Sequence, residues 1–278
     1  MTTTTAEFWD VNGTSLNTYA WNIQTLGGSR SAIPGLRGED ATVAYLPGRR
    51  FRPKVPDSRI LTLAMFVQGV DPLTDQAGVN PHRQFTANLR ALQKLLWSPR
   101  SQLTLTRRWI ESGTTVKSAA ALAQLVSNLE PTMTGPARAT LGADLLLSDP
   151  FFYGAPQSQS FALATPVSVV NAGDDPTTGY GCSVTFTGPL TNPQLTNSST
   201  SPAVWVKYGG SIGAGDSVVL SVRDFSATLT STGGNVVGNV THSGARQWFG
   251  LPVGSSTVTL SASGGSGSAS LTYQVPYI

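Results

Sequence analysis

Residues 137–153 read ARATLGADLLLSDPFFY, and this stretch decides the fold. Up to Leu147, apolar residues occupy every second position. Alternation with a period of two is typical of a β-strand that buries one face. The stretch ends in Asp149-Pro150-Phe151-Phe152-Tyr153, and charged residues become much rarer after Pro156. We therefore predict a β-rich chain whose two modules meet at Asp149–Tyr153.

The amino-acid composition agrees with this prediction. Charged residues make up 12% of the 278 residues, whereas an ordinary soluble domain carries about 25%. Gly, Ser and Thr take their place, which favours strands joined by turns over a helical bundle. Residues 1–155 hold 15 Lys/Arg and 11 Asp/Glu, but residues 156–278 hold three and four. We expect hydroxyl groups and turns to keep the nearly uncharged second module soluble.

The first module, residues 1–153, is predicted to be a β domain with one helix. Phe8–Leu26 contains an Asn12-Gly13 turn and predicts a hairpin. Both faces of the predicted strand Arg59–Val67 are apolar, so we expect it to be covered on both sides. The segment Pro81–Trp97 predicts a helix packed on the sheet, because apolar residues recur there at helical spacing: Phe85, Leu89, Leu92 and Leu96.

Three further segments of this module predict strands. Leu103–Trp109 alternates apolar and polar residues. The Ala- and Leu-rich segment Ser118–Leu129 would serve a helix equally well. We assign it as a strand because the run 137–147 would pair with it across a turn at Pro131–Pro136.

An irregular segment rich in Gly and Pro, from Gly27 to Asp57, precedes the strand at Arg59. We interpret it as an extended arm with a strand around Asp40–Leu46. The arm carries a basic cluster, which consists of Arg49, Arg50, Arg52 and Lys54. Such a cluster could contact nucleic acid or the acidic side chains of a neighbouring subunit. Few aromatic residues are interleaved with it, so we favour the neighbouring subunit.

The second module, residues 154–278, is predicted to be an antiparallel β-sandwich or jelly roll. Short strands recur between turns of Gly, Asn and Ser. We predict eight of them: Val167–Val170, Cys182–Phe186, Val204–Tyr208, Ser217–Val222, Ala227–Leu229, Trp248–Leu251, Val258–Leu260 and Ala269–Val275.

Residues that could carry catalytic or metal chemistry are few. His82 and His242 lie in different modules without a second evident ligand, so we expect surface histidines and no metal site. The only cysteine, Cys182, excludes an intrachain disulfide, and we expect a buried thiol. Ser211 lies in a nucleophile-elbow pattern at Gly209–Gly213, but a strand is predicted to follow it where a hydrolase needs a helix. We predict no enzyme and no cofactor.

Neither secretion nor membrane insertion is expected. The first residues lack the basic and apolar regions of a signal peptide. No apolar run approaches the roughly 20 residues that cross a bilayer. We therefore expect the protein to be made and folded in a cytoplasm.

Several motifs follow one another in a particular order along nearly the whole chain. The first module contains Ile33–Asp40, the basic cluster, the strand Arg59–Val67, a helix ending in Leu95-Leu96-Trp97, and a strand running into Asp149–Tyr153. The second module opens with Val170–Pro176 and later contains the segment Trp248–Ser255. In this order and spacing the chain resembles the distal tail protein family of long-tailed, non-contractile phages. No catalytic signature is part of this resemblance.

The resemblance implies a structural virion protein, a homo-hexameric ring at the distal end of the tail tube. The first module would be a tail-tube-like β-sandwich, and the second a galectin-like one that projects outward. Partners would be the tail tube protein, the tape-measure protein, and the tail-tip and receptor-binding proteins. DNA would pass through the lumen without sequence-specific contacts. The basic arm would wrap a neighbouring subunit or edge the channel.

The alternative function is that of a carbohydrate-binding module that contributes to adhesion to the host cell wall. It is favoured by the Ser- and Thr-rich second module. Candidate sugar contacts are Trp205, Tyr208 and Trp248, because aromatic rings beside polar side chains suit sugars. Aromatic residues of such modules more often belong to the core, and this second interpretation stays open.

Overall fold

The computed structural model describes residues 7–24, 28, 33–42, 49–50, 52, 54–77, 79–110, 115–177, 181–244 and 248–278. The chain forms two compact units. Unit 1 comprises the residues up to Phe152 together with Ile278, and unit 2 is Tyr153–Tyr277. The predicted mainly β fold is confirmed, since the described residues contain many strands and a single α-helix. The finer likenesses to a tail tube and to galectins stay predictions.

Unit 1 contains the strands β1 (Glu7–Val11), β2 (Thr14–Ser15), β3 (Trp21–Ile23), β4 (Leu36–Arg37), β5 (Ala41–Thr42), β6 (Arg49–Arg50), β7 (Val55–Pro56), β8 (Arg59–Gln68), β9 (Leu103–Ile110), β10 (Val116–Leu125), β11 (Thr132–Gly135) and β12 (Arg138–Leu147). Helix α1 (Pro81–Leu96) lies between β8 and β9 in the sequence, and β13 (Phe152–Tyr153) spans the unit boundary.

An antiparallel sheet with the order β2-β1-β9-β10-β12-β8-β3 is the centre of unit 1. Its first hairpin turns at Asn12 and Gly13, whose φ angles of 49° and 78° suit the tight turn that connects twisted strands. The alternation in β12 has the predicted consequence. Its apolar residues at every second position are all buried, namely Ala139, Leu141, Ala143, Leu145 and Leu147.

Strand β8 departs from the prediction that both of its faces are covered. One face is fully buried: Leu61, Leu63, Met65 and Val67 have no exposed surface. On the other face, Ile60 is 51% exposed, and Phe66 is only half-buried. The prediction is wrong for the second face, because the described part of the chain supplies a packing layer for one side of the sheet only.

Helix α1 begins at Pro81 as predicted and ends at Leu96, one residue before the predicted Trp97. The side chain of Asn80 caps its first turn by accepting a hydrogen bond from the backbone N–H of Arg83, and Pro81 is the first helical residue. Three of the four predicted apolar positions are buried, whereas Leu89 is half-buried. Asn88 is buried beside it. Its amide donates to the carbonyls of Gln68 and Val70, both at 2.8 Å, and so fixes the helix to the end of β8.

The predicted pairing of β10 and β12 across a turn is only partly right. Strand β10 pairs with β9 along most of its length and with β12 only at its last two residues. The direct hairpin partner of β12 is β11. The segment Pro131–Pro136 is therefore mostly a strand, because the Thr- and Met-containing residues between the two prolines extend the sheet.

Unit 2 contains β14 (Gln157–Ala162), β15 (Pro166–Asn171), β16 (Ser183–Thr187), β17 (Leu190–Thr191), β18 (Gln194–Asn197), β19 (Val204–Tyr208), β20 (Ser211–Ile212), β21 (Ser217–Ser221), β22 (Ser226–Leu229), β23 (Val240–His242), β24 (Gly254–Ser261), β25 (Gly264–Gly265), β26 (Ser268–Tyr273) and β27 (Pro276–Tyr277). A single 3-10 turn, Val237–Asn239, is described between β22 and β23.

Two five-stranded antiparallel sheets enclose the core of unit 2. The first sheet has the order β14-β26-β16-β21-β22, and the second has the order β15-β24-β18-β19-β23. Inward side chains of both sheets belong to one buried cluster, in which Phe161 and Phe186 come from the first and Leu195 and Leu260 from the second. This is the packing of a β-sandwich.

One predicted strand of unit 2, Trp248–Leu251, is wrong. The segment is buried but has no strand partner, because side chains satisfy its backbone. The carbonyl of Leu251 accepts from the Asn171 amide at 3.2 Å, and its N–H donates to the Thr177 hydroxyl at 2.9 Å. Among the described strands of three or more residues in unit 2, the prediction missed three whose sequences are largely polar, namely β14, β18 and β23.

Candidate assembly surfaces

Large apolar side chains are exposed mainly on unit 1. Of the sixteen such residues among those that the structure describes, eleven precede Phe152 and only four lie in unit 2. Single exposed apolar residues are ordinary on protein surfaces, but neighbouring ones mark interaction sites. The arrangement of the exposed residues on unit 1 therefore decides what they mean.

The second face of the main sheet carries three of these exposed residues, Ile60, Leu122 and Val126. Together with the half-buried Leu146 they form a surface that we call the open face. Leu146 lies directly opposite Ile60 on β8 and opposite Gln124 on β10. The N–H of Val126 donates to the carbonyl of Asp144 at 2.9 Å, which continues this pairing. Directly paired side chains are about 5 Å apart at Cβ, which applies to Ile60 and Leu146. Leu122 and Val126 lie two residues to either side of the exposed Gln124 and therefore diagonal to Leu146.

Polar side chains border the open face. The hydroxyl of Thr62 donates to a carboxylate oxygen of Asp144 at 2.6 Å. The guanidinium of Arg138 lies 5.2 Å from the centre of the Phe66 ring. An apolar centre with a hydrogen-bonded polar rim is the usual anatomy of a protein interface.

A charged cluster lies at the β1–β9 side of unit 1. Arg107 and Glu7 form an ion pair of 2.6 Å, and Arg108 and Asp10 form one of 2.8 Å. Arg59 is buried nearby, with its guanidinium 5.3 Å from the centre of the Phe152 ring. Burial, and then the positive charge of Arg107, lower the pKa of Arg59 to about 10. Arg59 therefore remains charged at neutral pH and cannot exchange protons there as a catalytic acid or base does.

The predicted arm is a two-stranded β-hairpin in the described residues. Strands β4 and β7 pair at its base, and β5 and β6 pair further out. Residues 43–48, which include the rest of the strand predicted at Asp40–Leu46, lie outside the described residues. Leu36 at the base of the arm is 67% exposed. An isolated two-stranded hairpin is marginally stable in water, so this arm gains stability from any surface that it contacts.

The basic cluster of the arm is only partly described. Arg49 and Arg50 form β6, but their side chains lie outside the description. Arg52 is exposed, and its backbone N–H donates to Asp40 at 3.4 Å. The ammonium of Lys54 lies 3.9 Å from the same carboxylate. These contacts stay within the arm, and a contact of the cluster with a neighbouring subunit stays a prediction.

A cleft of about 510 Å³ lies at the end of helix α1. It is lined by Gln93, Lys94, Trp97, Asn128, Leu129 and Glu130. The indole of Trp97 is 66% exposed. An exposed tryptophan beside an open cleft offers a large apolar surface to a partner's side chain.

The residues considered for catalysis or metal binding are separate from one another. Burial raises the pKa of the Cys182 thiol to about 12, so the predicted buried thiol is confirmed. Ser211 is exposed on β20, with its hydroxyl 3.5 Å from that of Thr191. A ring nitrogen of His242 accepts a backbone N–H at 3.2 Å, and His82 is exposed. No group of three metal-binding side chains is found in the described part of the chain.

The three candidate sugar contacts occupy different places. Tyr208 and Trp248 are buried in the core cluster of unit 2. Trp205 is half-buried and lies on the outer face of the second sheet. The structure does not bring the three together in one site. Among the described residues, no helix is long and apolar enough to cross a membrane.

No protein-family model and no curated protein matches the chain. Among solved structures, it is similar to the Dit protein (gp 19.1) of phage SPP1, with 12% identity and a TM-score of 0.67 over 98% of this chain and 99% of that one. That protein is described as a paradigm of the hub adsorption apparatus in phages that infect Gram-positive bacteria. A chain of the phage P2 baseplate also matches, with 8% identity and a TM-score of 0.41 over 97% of this chain and 98% of that one, which is too low to argue from. The chain therefore has the fold of SPP1 Dit over nearly its whole length.

Proposed function

We propose that this chain is a structural protein of a phage tail tip and that it assembles through unit 1 into a hexameric ring at the distal end of the tail tube. The open face is the observation that carries the proposal. It is an apolar surface at the centre of the largest sheet, in a chain that has the fold of SPP1 Dit. This role requires no catalytic group, and we propose none.

Burial of the open face supplies the driving force for assembly. Ile60, Leu122 and Val126 are each about half exposed. Complete burial of an aliphatic side chain stabilises by about 1.5–3 kcal/mol, so three half-exposed side chains would contribute a few kcal/mol to each contact. Association costs about 4 kcal/mol or more in lost translational and rotational freedom, so polar pairs on the rim and contacts of the arm would supply the remainder.

The arm makes a head-to-tail arrangement feasible. A ring needs two different surfaces on each subunit that fit one another and a rotation that closes. The open face would be one surface, and the exposed arm with Leu36 would reach the neighbouring subunit as part of the other. Between Leu36 and Asp57 the arm has five basic and three acidic residues, so it would also suit the edge of a channel through which DNA passes.

The remaining partners follow from the position of such a ring in a virion. It would join the tail tube and tape-measure proteins on one side to tail-tip and receptor-binding proteins on the other. Assembly would take place in the host cytoplasm. The support for these partners is the similarity in fold to SPP1 Dit together with the order of sequence motifs.

Light scattering and negative-stain electron microscopy of the purified full chain test the ring. We expect a mass of six chains and closed rings with sixfold symmetry. Gold-labelled antibodies against the chain should bind the distal end of the tails of virions that contain it. A chain that stays monomeric at high concentration and is absent from tails would contradict the proposal.

Photo-crosslinking tests the role of the arm within the ring. A photoreactive amino acid in place of Leu36 should give covalent oligomers of up to six chains. The same amino acid in place of Val219, which is exposed on the outer face of unit 2, is the matched control and should give none. If the ring forms but Leu36 gives no crosslinks, the proposed ring would be supported and the proposed contact of the arm with a neighbouring subunit would be contradicted.

A further inference from the structure

One tryptophan of unit 2 lies outside its core. Strand β19 alternates, so that Val206 and Tyr208 point into the sandwich and Trp205 and Lys207 lie on the outer face. Among the described residues, the half-buried side chains that pack against the core include Val204 but not Trp205. Burial in the core therefore does not account for this large aromatic residue.

Uncharged polar side chains on β18 and β24 lie beside Trp205. Thr196 on β18 lies directly opposite it, and Thr259 on β24 lies opposite Thr196. In the neighbouring row, Gln194 lies opposite Lys207. The Gln194 amide donates to the Thr196 hydroxyl at 3.0 Å and is thereby held beside the tryptophan. Adjacent strands lie about 4.8 Å apart, so these groups are close enough to the indole to contact the hydroxyls of one sugar ring that stacks on it.

This combination fits a neutral sugar. One face of a pyranose ring presents C–H groups that stack on the electron-rich face of an indole. The hydroxyl groups of the sugar would exchange hydrogen bonds with the threonine hydroxyls and the glutamine amide. A nucleic acid would require several cations, but Lys207 is the only charged outward residue of the five strands described in this sheet. A protein partner would require a larger apolar centre than a single indole.

The outer face of the other sheet shows that hydroxyl groups alone do not produce this arrangement. There Thr185 lies between Ser270 on β26 and Val219 on β21. Ser183 lies between Thr272 and Ser221 in the next row. Those two rows have hydroxyl groups at the same spacing but no aromatic ring among them. They supply a matched control on the same unit.

We propose that the outer face around Trp205 is a binding platform for neutral oligosaccharides of pyranose sugars. Trp205 stacks on one sugar ring, and Thr196, Thr259 and Gln194 hydrogen-bond to its hydroxyl groups. A shallow, single-tryptophan platform predicts weak affinity, with a Kd on the order of 1 mM. This activity is separate from ring assembly, since all its residues lie in unit 2.

The test uses the full chain on a microarray of neutral oligosaccharides, followed by calorimetric titration of the strongest binder. Trp205→Ala should lower the affinity at least tenfold, and Trp205→Phe should keep part of it. Thr185→Ala on the other face should leave it unchanged. Retained protection of Cys182 from thiol reagents would show that Trp205→Ala is folded, and an unchanged mass by light scattering would separate this test from that of the ring.

Three results would overturn the proposal. The first would be that the full chain binds no neutral oligosaccharide on the microarray, even at millimolar concentration. The second would be unchanged binding in Trp205→Ala. The third would be binding confined to anionic polymers that is lost in Lys207→Ala but not in Trp205→Ala, which would assign the face to a charged ligand.

Discussion

Units 1 and 2 bury their apolar residues in different ways. In unit 2, the apolar side chains lie between two sheets whose outer faces are mostly Ser and Thr. In unit 1, the main sheet buries one face and leaves Ile60, Leu122 and Val126 exposed on the other. In unit 2 two sheets cover each other's inner faces, whereas the described residues of unit 1 leave one face of its main sheet without a packing layer. This difference supports our proposal that unit 1 mediates assembly.

The distribution of charge follows the same division. Most of the Lys, Arg, Asp and Glu residues lie before residue 156. In unit 1 several of them form ion pairs next to the main sheet, such as Arg107 with Glu7. Charged pairs at a rim contribute to the specificity and the rate of association more than to its strength. An outer face of hydroxyl groups, as in unit 2, lacks this means of selecting a protein partner.

The largest expected effect tests whether unit 2 is complete by itself. Phe186 is fully buried in its core, and Phe186→Ala should lower the free energy of unfolding of unit 2 by about 3–5 kcal/mol. Because Cys182 is the only cysteine and lies in unit 2, its rate of reaction with a thiol reagent reports on this unit alone. We expect much faster labelling in Phe186→Ala but no change in the mass of the assembly.

The control for this change is Val219→Ala, which shortens an exposed side chain on the outer face. Its effect on Cys182 labelling should correspond to a change of less than about 0.5 kcal/mol in the free energy of unfolding of unit 2. Loss of the assembly in Phe186→Ala at a temperature where unit 1 is folded would contradict the division of tasks between the units.

A smaller effect is expected at the helix of unit 1. Asn88→Ala removes the donor to the carbonyls of Gln68 and Val70, which would remain at the buried end of β8. An unsatisfied buried polar group costs about 1–3 kcal/mol, so we expect destabilisation of about 2–3 kcal/mol in chemical denaturation of unit 1. Thr86→Ala on the exposed side of the helix is the control. Faster labelling of Cys182 in Asn88→Ala would show that the two units do not unfold independently.

The smallest expected effect is a pH dependence of unit 2. Hydrogen bonds from the Ser231 hydroxyl and from the N–H groups of Ser217 and Ser231 hold the pKa of Asp216 below its usual value. The stability that Asp216 contributes is therefore present above the unfolded pKa of about 3.9 and is lost as the pH falls through the lower, folded value. Asp216→Asn should lower the Tm at neutral pH by a small amount that shrinks as the pH falls below the unfolded pKa of about 3.9. A difference in Tm that grows on acidification would contradict this assignment.

Much of the fold could be predicted from the sequence. The alternation in β12, the helical spacing in α1 and the Asn12-Gly13 turn each depend on local patterns that the structure confirms. The failures have physical causes. Strands β14, β18 and β23 are largely polar and lack the contrast between faces that marks a strand. The segment Trp248–Leu251 is apolar because it closes the end of the core, and Asn and Thr side chains replace a strand partner there.

The candidate surfaces could be predicted less well. The sequence shows that both faces of β8 are apolar but does not show what covers each face. The open face therefore became visible only in the structure. For the candidate sugar contacts, the sequence itself shows that Trp205 and Tyr208 cannot belong to one site. Trp205 and Tyr208 are three residues apart on one predicted strand, so they must lie on opposite faces. Only one of them could belong to the core, and burial identifies it as Tyr208.

The mass of the assembly formed by Ile60→Asp tests the central claim most directly. A carboxylate at the centre of the open face would be buried without a partner in any contact made there, at a cost of several kcal/mol. The matched control is Val219→Asp, which places the same charge on the outer face of unit 2. We predict by light scattering that Ile60→Asp is a monomer with normal Cys182 protection, whereas Val219→Asp has the mass of the unaltered ring. A ring of full mass in Ile60→Asp would contradict assembly through the open face of unit 1.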